Sequence, residues 1–184
     1  MGKNIKKEQK ARAIFLDRDG TINEEVGFLD NLEKLRLLPG AARAIRMINE
    51  SGFKAIVVTN QGGVGRGIFD EELVAAAHRR LQEMLGEQGA WIDAFFYCPH
   101  HPTEGQGIYL KDCPCRKPAP GMLLRAKNEL MIELEDSWII GDTLKDIEAG
   151  AKAGVRGVLV KTGYGSETAA QLADRPLQTG NDIL

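Results

Sequence analysis

Ala13-Ile14-Phe15-Leu16-Asp17-Arg18-Asp19-Gly20-Thr21 is the stretch that decides the fold. Four apolar residues, too few for the face of a helix, end abruptly in two carboxylates, a glycine and a hydroxyl. A buried strand that delivers polar side chains to a loop has this pattern. The same unit recurs outward along the chain. Spacing predicts strands over 12–17, 53–59, 91–97, 137–141 and 155–160. Between them it predicts a helix opened by Pro39-Gly40 and running to Glu50, a long helix capped by Asp70, one ending at Leu130 and one over 144–153, with a further helical stretch from Ser166. Regular alternation of strand and helix predicts one α/β domain over 1–184: a Rossmann-like parallel sheet flanked by helices on both faces, with ligands at the carboxyl ends of its strands.

Composition agrees with one packed domain. A chain of 184 residues with 43% hydrophobic and 27% charged residues can bury a core of its own, which excludes a disordered protein. With 24 basic against 26 acidic side chains the net charge is −2, which gives no general attraction to nucleic acid or to an anionic membrane. Residues 1–11 read as a polar, disordered lead-in lacking the apolar stretch of a signal peptide, and the longest apolar runs are strand-length. A cytoplasmic monomer acting on a small molecule is the expectation.

Four predicted strand ends or helix starts carry chemistry. Asp17 and Asp19 follow the first strand, and Thr59-Asn60-Gln61 follows the second, ahead of the glycine-rich 62–67. Arg116-Lys117 precedes a helix, and Asp142 and Asp146 follow the fourth strand. Acidic groups that hold a hard cation such as Mg2+, beside an ammonium and a hydroxyl that meet phosphoryl oxygens, suit phosphoryl transfer. Other features read more plainly. The 62–67 glycines give a loop whose exposed backbone N–H groups can face an anion, with a merely flexible loop as the alternative; His78 beside Arg79 and Arg80 suggests a solvated helix face, and Trp91 and Trp138 packing residues that open strands.

In this order, Asp17-x-Asp19-Gly20-Thr21, Thr59, Lys117 and Gly141-Asp142-x-x-x-Asp146 resemble the four motifs of the haloacid-dehalogenase-like (HAD) phosphatase superfamily, over about residues 14–160. Within it, 15–23, Thr59-Asn60-Gln61 with Arg66-Gly67, Tyr97-Cys98-Pro99-His100-His101-Pro102 and 113–123 resemble the heptose-bisphosphate phosphatases of nucleotide-heptose synthesis, with histidinol-phosphate phosphatases as near relatives. The resemblance implies Asp17 as nucleophile forming an aspartyl-phosphate, and Asp19 as general acid and then base, for which Asp19 should be protonated near neutral pH. It implies Mg2+ on Asp17, Asp142 and the Asp19 backbone carbonyl, with Asp146 supporting from the helix. Thr59 and Lys117 would hold the phosphoryl group. Glu25, Val26, Gly27, Phe28, Asn60, Gln61, Gly62 and Arg116 would meet the phosphosugar substrate. Thr143 stands where some heptose phosphatases carry Lys.

Cys98-x-His100, twelve intervening residues and Cys113-x-Cys115 use every cysteine of the chain. Three thiols and one imidazole form the ligand set of a closed structural Zn2+ site, with His101 as the alternative imidazole. Such a site would stiffen the 98–117 loop that leads into Arg116-Lys117. The twelve-residue gap is longer than in histidinol-phosphate phosphatases and favours the heptose branch. No room exists for a cap domain over 21–39 or 69–98, so a capless cleft is expected. A zinc-stabilised binding module without catalysis is the rival of another class.

Overall fold

The computed structural model of the chain describes residues 10–173. Five parallel strands, β1 (Ala13–Leu16), β2 (Lys54–Asn60), β3 (Ala94–Cys98), β4 (Trp138–Gly141) and β5 (Arg156–Leu159), form one sheet in the order β3-β2-β1-β4-β5. The helices are α1 (Ala41–Glu50), α2 (Gly62–Gly65), α3 (Glu71–Gly86), α4 (Gly121–Leu130), α5 (Leu144–Ala153) and α6 (Gly165–Ala173).

Side chains alternate across a strand, so the sheet has two cores. Ala13, Phe15, Ile56 and Val58 face a cluster with Met122, Leu123, Ala126 and Ala149 of α4 and α5. Leu16, Ala55 and Val57 face the other cluster, with Ala42 and Ile45 of α1 and Ala77, Leu81 and Leu85 of α3. The helix on each face is what makes β1 and β2 read as continuous apolar runs. Asp70 caps α3 as predicted, its carboxylate accepting from Leu73 N at 2.8 Å. Between residues 21 and 39 the chain forms only a short 3-10 helix, Leu32–Lys34, and 69–98 is filled by α3 and β3, so neither place holds a cap.

Four local expectations change. Residues 62–67 are not a loose loop: α2 is a buried helical turn, and a Cβ on Gly63 would fall 2.2 Å from the Phe69 ring. His78 is buried, stacked at 4.5 Å on Phe95, because the apolar face of α3 is wide enough to include it. Trp91 lies ahead of β3 and is 47% exposed, since the strand begins only at Ala94. At the start of the described chain, Ala11 bridges Ile132 and Lys10 pairs with Glu133, so these two residues of the predicted lead-in are tied down. The rest of that lead-in lies outside the described residues, as does the chain after Ala173.

Candidate active site

β1 is the central strand, with β2 and β4 as neighbours, so the loops that follow these three open side by side at the carboxyl edge. Asp17 leaves β1, Thr59 and Asn60 close β2, and Asp142 follows β4. Lys117 approaches from the irregular segment ahead of α4. Its Nζ lies 2.9 Å from Asp17 Oδ1 and also bonds Asp146 Oδ1, with the lysine side chain 2% exposed. Asn60 fixes the peptide that presents it, accepting from Lys117 N at 3.0 Å and donating to Lys117 O at 2.9 Å. The amide expected to meet substrate is thus engaged by the backbone of the phosphate-facing lysine.

Burial disfavours the charged form of Asp17 and pushes its pKa up, against the opposing pull of Lys117. Burial also acts against the ammonium, but Asp146 and Asp17 outweigh it and hold Lys117 above its ordinary value. Two carboxyl groups thus share one ammonium.

Asp142 is buried, and burial pushes its carboxyl up. Its Oδ2 accepts from Tyr164 N at 2.9 Å, while Oδ1 has no hydrogen-bond partner. Asp17, Asp142 and Asp146 each bring a carboxylate oxygen within 4.8 Å of the others. Asp146 is already engaged, by Lys117 on Oδ1 and on Oδ2 by Thr143 N at 3.0 Å and Thr143 Oγ1 at 2.6 Å. Free ligand capacity therefore lies on Asp17 and Asp142. A buried carboxylate oxygen lacking a donor, beside a second carboxylate, fits a hard divalent cation such as Mg2+. Gly20 makes room for this corner: at φ 77° a Cβ there would stand 2.2 Å from Asp142 Oδ2.

Asp19 departs from expectation. Burial alone would raise its pKa, but Arg18, Asn23 and Gln61 all donate to its carboxylate and hold it below the ordinary range. The reason is Arg18, whose side chain is 1% exposed and which turns its guanidinium onto the neighbouring carboxylate. Thr59 and Gln61 are buried beside it, and Gln61 Nε2 donates to Thr59 Oγ1 at 2.9 Å.

The rim holds the remaining predicted residues. Glu25 accepts from Gly27 N, Val26 is exposed, and Phe28 meets Phe69 edge-on and Arg66 through its ring face. Arg116 Nη1 donates to His100 O at 3.0 Å, and its guanidinium lies where a Gly62 Cβ would approach within 3.1 Å. The glycine at 62 leaves that cation its place.

Beyond the rim, Cys98 closes β3, and Cys113 and Cys115 come back beneath it. Cys115 Sγ is 2.7 Å from both other sulfurs, and His100 Nδ1 lies 3.6 Å from Cys98 Sγ and 3.7 Å from Cys115 Sγ. His101 points elsewhere, its Nε2 3.1 Å from Arg66 and its Nδ1 accepting from Glu104 N. The structure thus selects His100. Three sulfurs crowded around one imidazole nitrogen, with no disulfide among them, suit a thiophilic metal better than free thiols.

Sequence reasoning missed Arg18 and Asn23, both of which donate to Asp19; local pattern gives Arg18 no role, and only the packing shows that it is buried.

A HAD-hydrolase-like family model matches residues 114–184. The D-glycero-β-D-manno-heptose-1,7-bisphosphate 7-phosphatase of Photorhabdus laumondii is 42% identical over 163 residues, 88% of this chain and 86% of that protein. The enzyme of the same name from Pasteurella multocida is 42% identical over 153 residues, 83% of each. A solved structure of D,D-heptose 1,7-bisphosphate phosphatase from B. bronchiseptica, complexed with magnesium and phosphate, superimposes with a TM-score of 0.80 at 35% identity, covering 87% of this chain and 86% of that one. With relatives about 40% identical over most of both chains, the chain belongs to the D-glycero-β-D-manno-heptose-1,7-bisphosphate 7-phosphatase family of HAD-like hydrolases.

Proposed function

We propose that this chain is a phosphomonoesterase that hydrolyses the C7 phosphate of D-glycero-D-manno-heptose 1,7-bisphosphate through an aspartyl-phosphate on Asp17. The observation that carries it is Asp17 held against Lys117 at 2.9 Å, beside the unpartnered oxygen of Asp142. Attack by an Asp17 oxygen on phosphorus breaks the ester P–O bond, and Asp19 gives a proton to the departing sugar oxygen. Asp19 then takes a proton from the water that attacks the acyl-phosphate, which frees Asp17 and releases inorganic phosphate. The incoming phosphoryl dianion sets negative charge beside Asp19, which favours its protonated form. Lys117 and the Thr59 hydroxyl hold the phosphoryl oxygens.

Asp17, Asp142 and the Asp19 backbone carbonyl would hold Mg2+, which when bound neutralises phosphoryl charge and orients the group for attack. Cys98, His100, Cys113 and Cys115 would hold Zn2+ as a closed site that stiffens the segment leading into Arg116 and Lys117. The enzyme is assigned to the cytoplasm as a monomer acting on a small phosphosugar, without nucleic-acid or membrane partners. In support, the net charge is −2, and no helix among the described residues is long and apolar enough to cross a membrane.

Phosphate release from the β and α heptose bisphosphates and from histidinol phosphate, compared by kcat/KM, tests this reading. Preference for a heptose anomer, with loss of activity in Asp17→Asn, is expected. Preference for histidinol phosphate, or undiminished turnover in Asp17→Asn, overturns it.

A further inference from the structure

We infer that Arg18 and Gln61 are positioning residues for the reaction, acting through Asp19 and Thr59. The inference rests on the phosphatase reading above. Arg18 is the largest fully buried side chain of the described protein, and a guanidinium without solvent must find acceptors. It finds them on Asp19: Nε at 3.1 Å and Nη2 at 2.8 Å from Oδ1, and Nη2 at 2.7 Å from Oδ2. Asn23 Nδ2 adds a donor to Oδ1 at 2.9 Å, and Gln61 Nε2 one to Oδ2 at 3.0 Å. Few rotations remain open to that carboxyl.

Gln61 links this clamp to the phosphoryl site. Its Oε1 accepts from Arg18 Nη2 at 3.3 Å, so its Nε2 must face the two acceptors, Asp19 Oδ2 and Thr59 Oγ1. Because arginine only donates and the carboxylate only accepts, the amide has one consistent orientation. The consequence falls on Thr59. With Gln61 donating to its oxygen at 2.9 Å, the Thr59 hydroxyl proton is free to point at a phosphoryl oxygen. One arginine and one amide thus fix the proton-handling group and the polarity of the phosphate-facing hydroxyl together. His78, on α3, is buried against Phe95, and burial together with the Arg18 cation lowers its pKa.

The test compares two esters in one preparation. Departure of a sugar alkoxide needs a proton, whereas departure of p-nitrophenolate does not. kcat/KM reports the steps through leaving-group departure, and the ratio of the two values is independent of the folded fraction. Arg18→Met is expected to lower kcat/KM for heptose bisphosphate at least about tenfold more than for p-nitrophenyl phosphate. A burst of nitrophenol should appear as the acyl-phosphate waits for its general base. Arg18→Lys, which restores one donor, should recover part of the ratio, and it reads the same quantity if Arg18→Met does not fold. Gln61→Leu should depress both esters, because Thr59 is affected as well, with the sugar ester falling further. Parallel changes in the two kcat/KM values across the Arg18 variants, of any size including none, overturn the inference. A wild-type chain that hydrolyses neither ester overturns instead the phosphatase reading on which it rests.

Discussion

Lys117 Nζ stands 2.9 Å from Asp17 Oδ1 at the carboxyl edge of the sheet, although the two residues are a hundred positions apart and come from different segments of the chain. The ammonium also bonds the fully buried Asp146. A cation so placed neutralises the resting nucleophile and meets the phosphoryl group when it arrives.

Lys117→Met leaves Asp17 and Asp146 facing each other without a cation. The expected loss in kcat is about 100- to 1,000-fold. Metal-free protein should also lose about 3 kcal/mol in chemical denaturation, as when one partner of a buried pair is removed. That deficit should shrink as the pH falls and Asp17, whose pKa burial raises to about 7, is protonated, which denaturation curves at several pH values will show.

Gly141→Ala tests the support beneath that lysine. A Cβ at Gly141 would lie 2.3 Å from Asp146 Cγ, and Asp146 has no exposed space into which to move. Overpacking should cost about 1–3 kcal/mol, and displacement of Asp146 should lower activity with it. Gly86→Ala, at the end of α3 with open space around the new methyl, is the control and should be neutral or stabilising by up to about 1 kcal/mol.

Removal of metals should separate the two sites. Stripping Mg2+ with a chelator is expected to abolish activity that added Mg2+ alone restores. Cys113→Ser should lower zinc content measured by mass spectrometry, lower Tm, and reduce kcat/KM at least about tenfold without rescue by Mg2+, because Arg116 and Lys117 leave their places. Undiminished melting and activity in a zinc-free chain would count against a structural metal.

His78 predicts a pH dependence of stability. Burial lowers its pKa from 6.5 to about 3, so between these values the unfolded chain binds a proton that the folded one does not. Its contribution is complete above pH 6.5 and is lost as the pH falls through that window, with a slope of at most about 1.4 kcal/mol per pH unit. His78→Leu should remove this component. The difference between wild-type and variant unfolding free energies, measured from pH 7 to pH 4, should therefore narrow or reverse on the acid side.

The sequence by itself determined the layered architecture, because apolar runs ending in turn-forming carboxylates and alternating with amphipathic stretches have few other ways to bury their surface. It marked the motif residues through local pattern and the family resemblance together: Asp17, Thr59 and Asp142 stand at strand ends, and Lys117 lies a few residues ahead of a helix. The cysteine spacing marked the second metal set equally well, though not which of two adjacent imidazoles joins it.

Only the tertiary structure decided how those groups are held. Arg18 has no role assigned by local pattern and is buried against Asp19; Asn60, expected at the substrate, also braces Lys117; Asp19, expected to be protonated, is held below the ordinary carboxylate range by its neighbour. His78 belongs to the core for the same kind of reason. Charge state and orientation depend on which donors lie within about 3 Å and how much water remains, and both follow from contacts between residues far apart in the chain. Local periodicity contains no information about either.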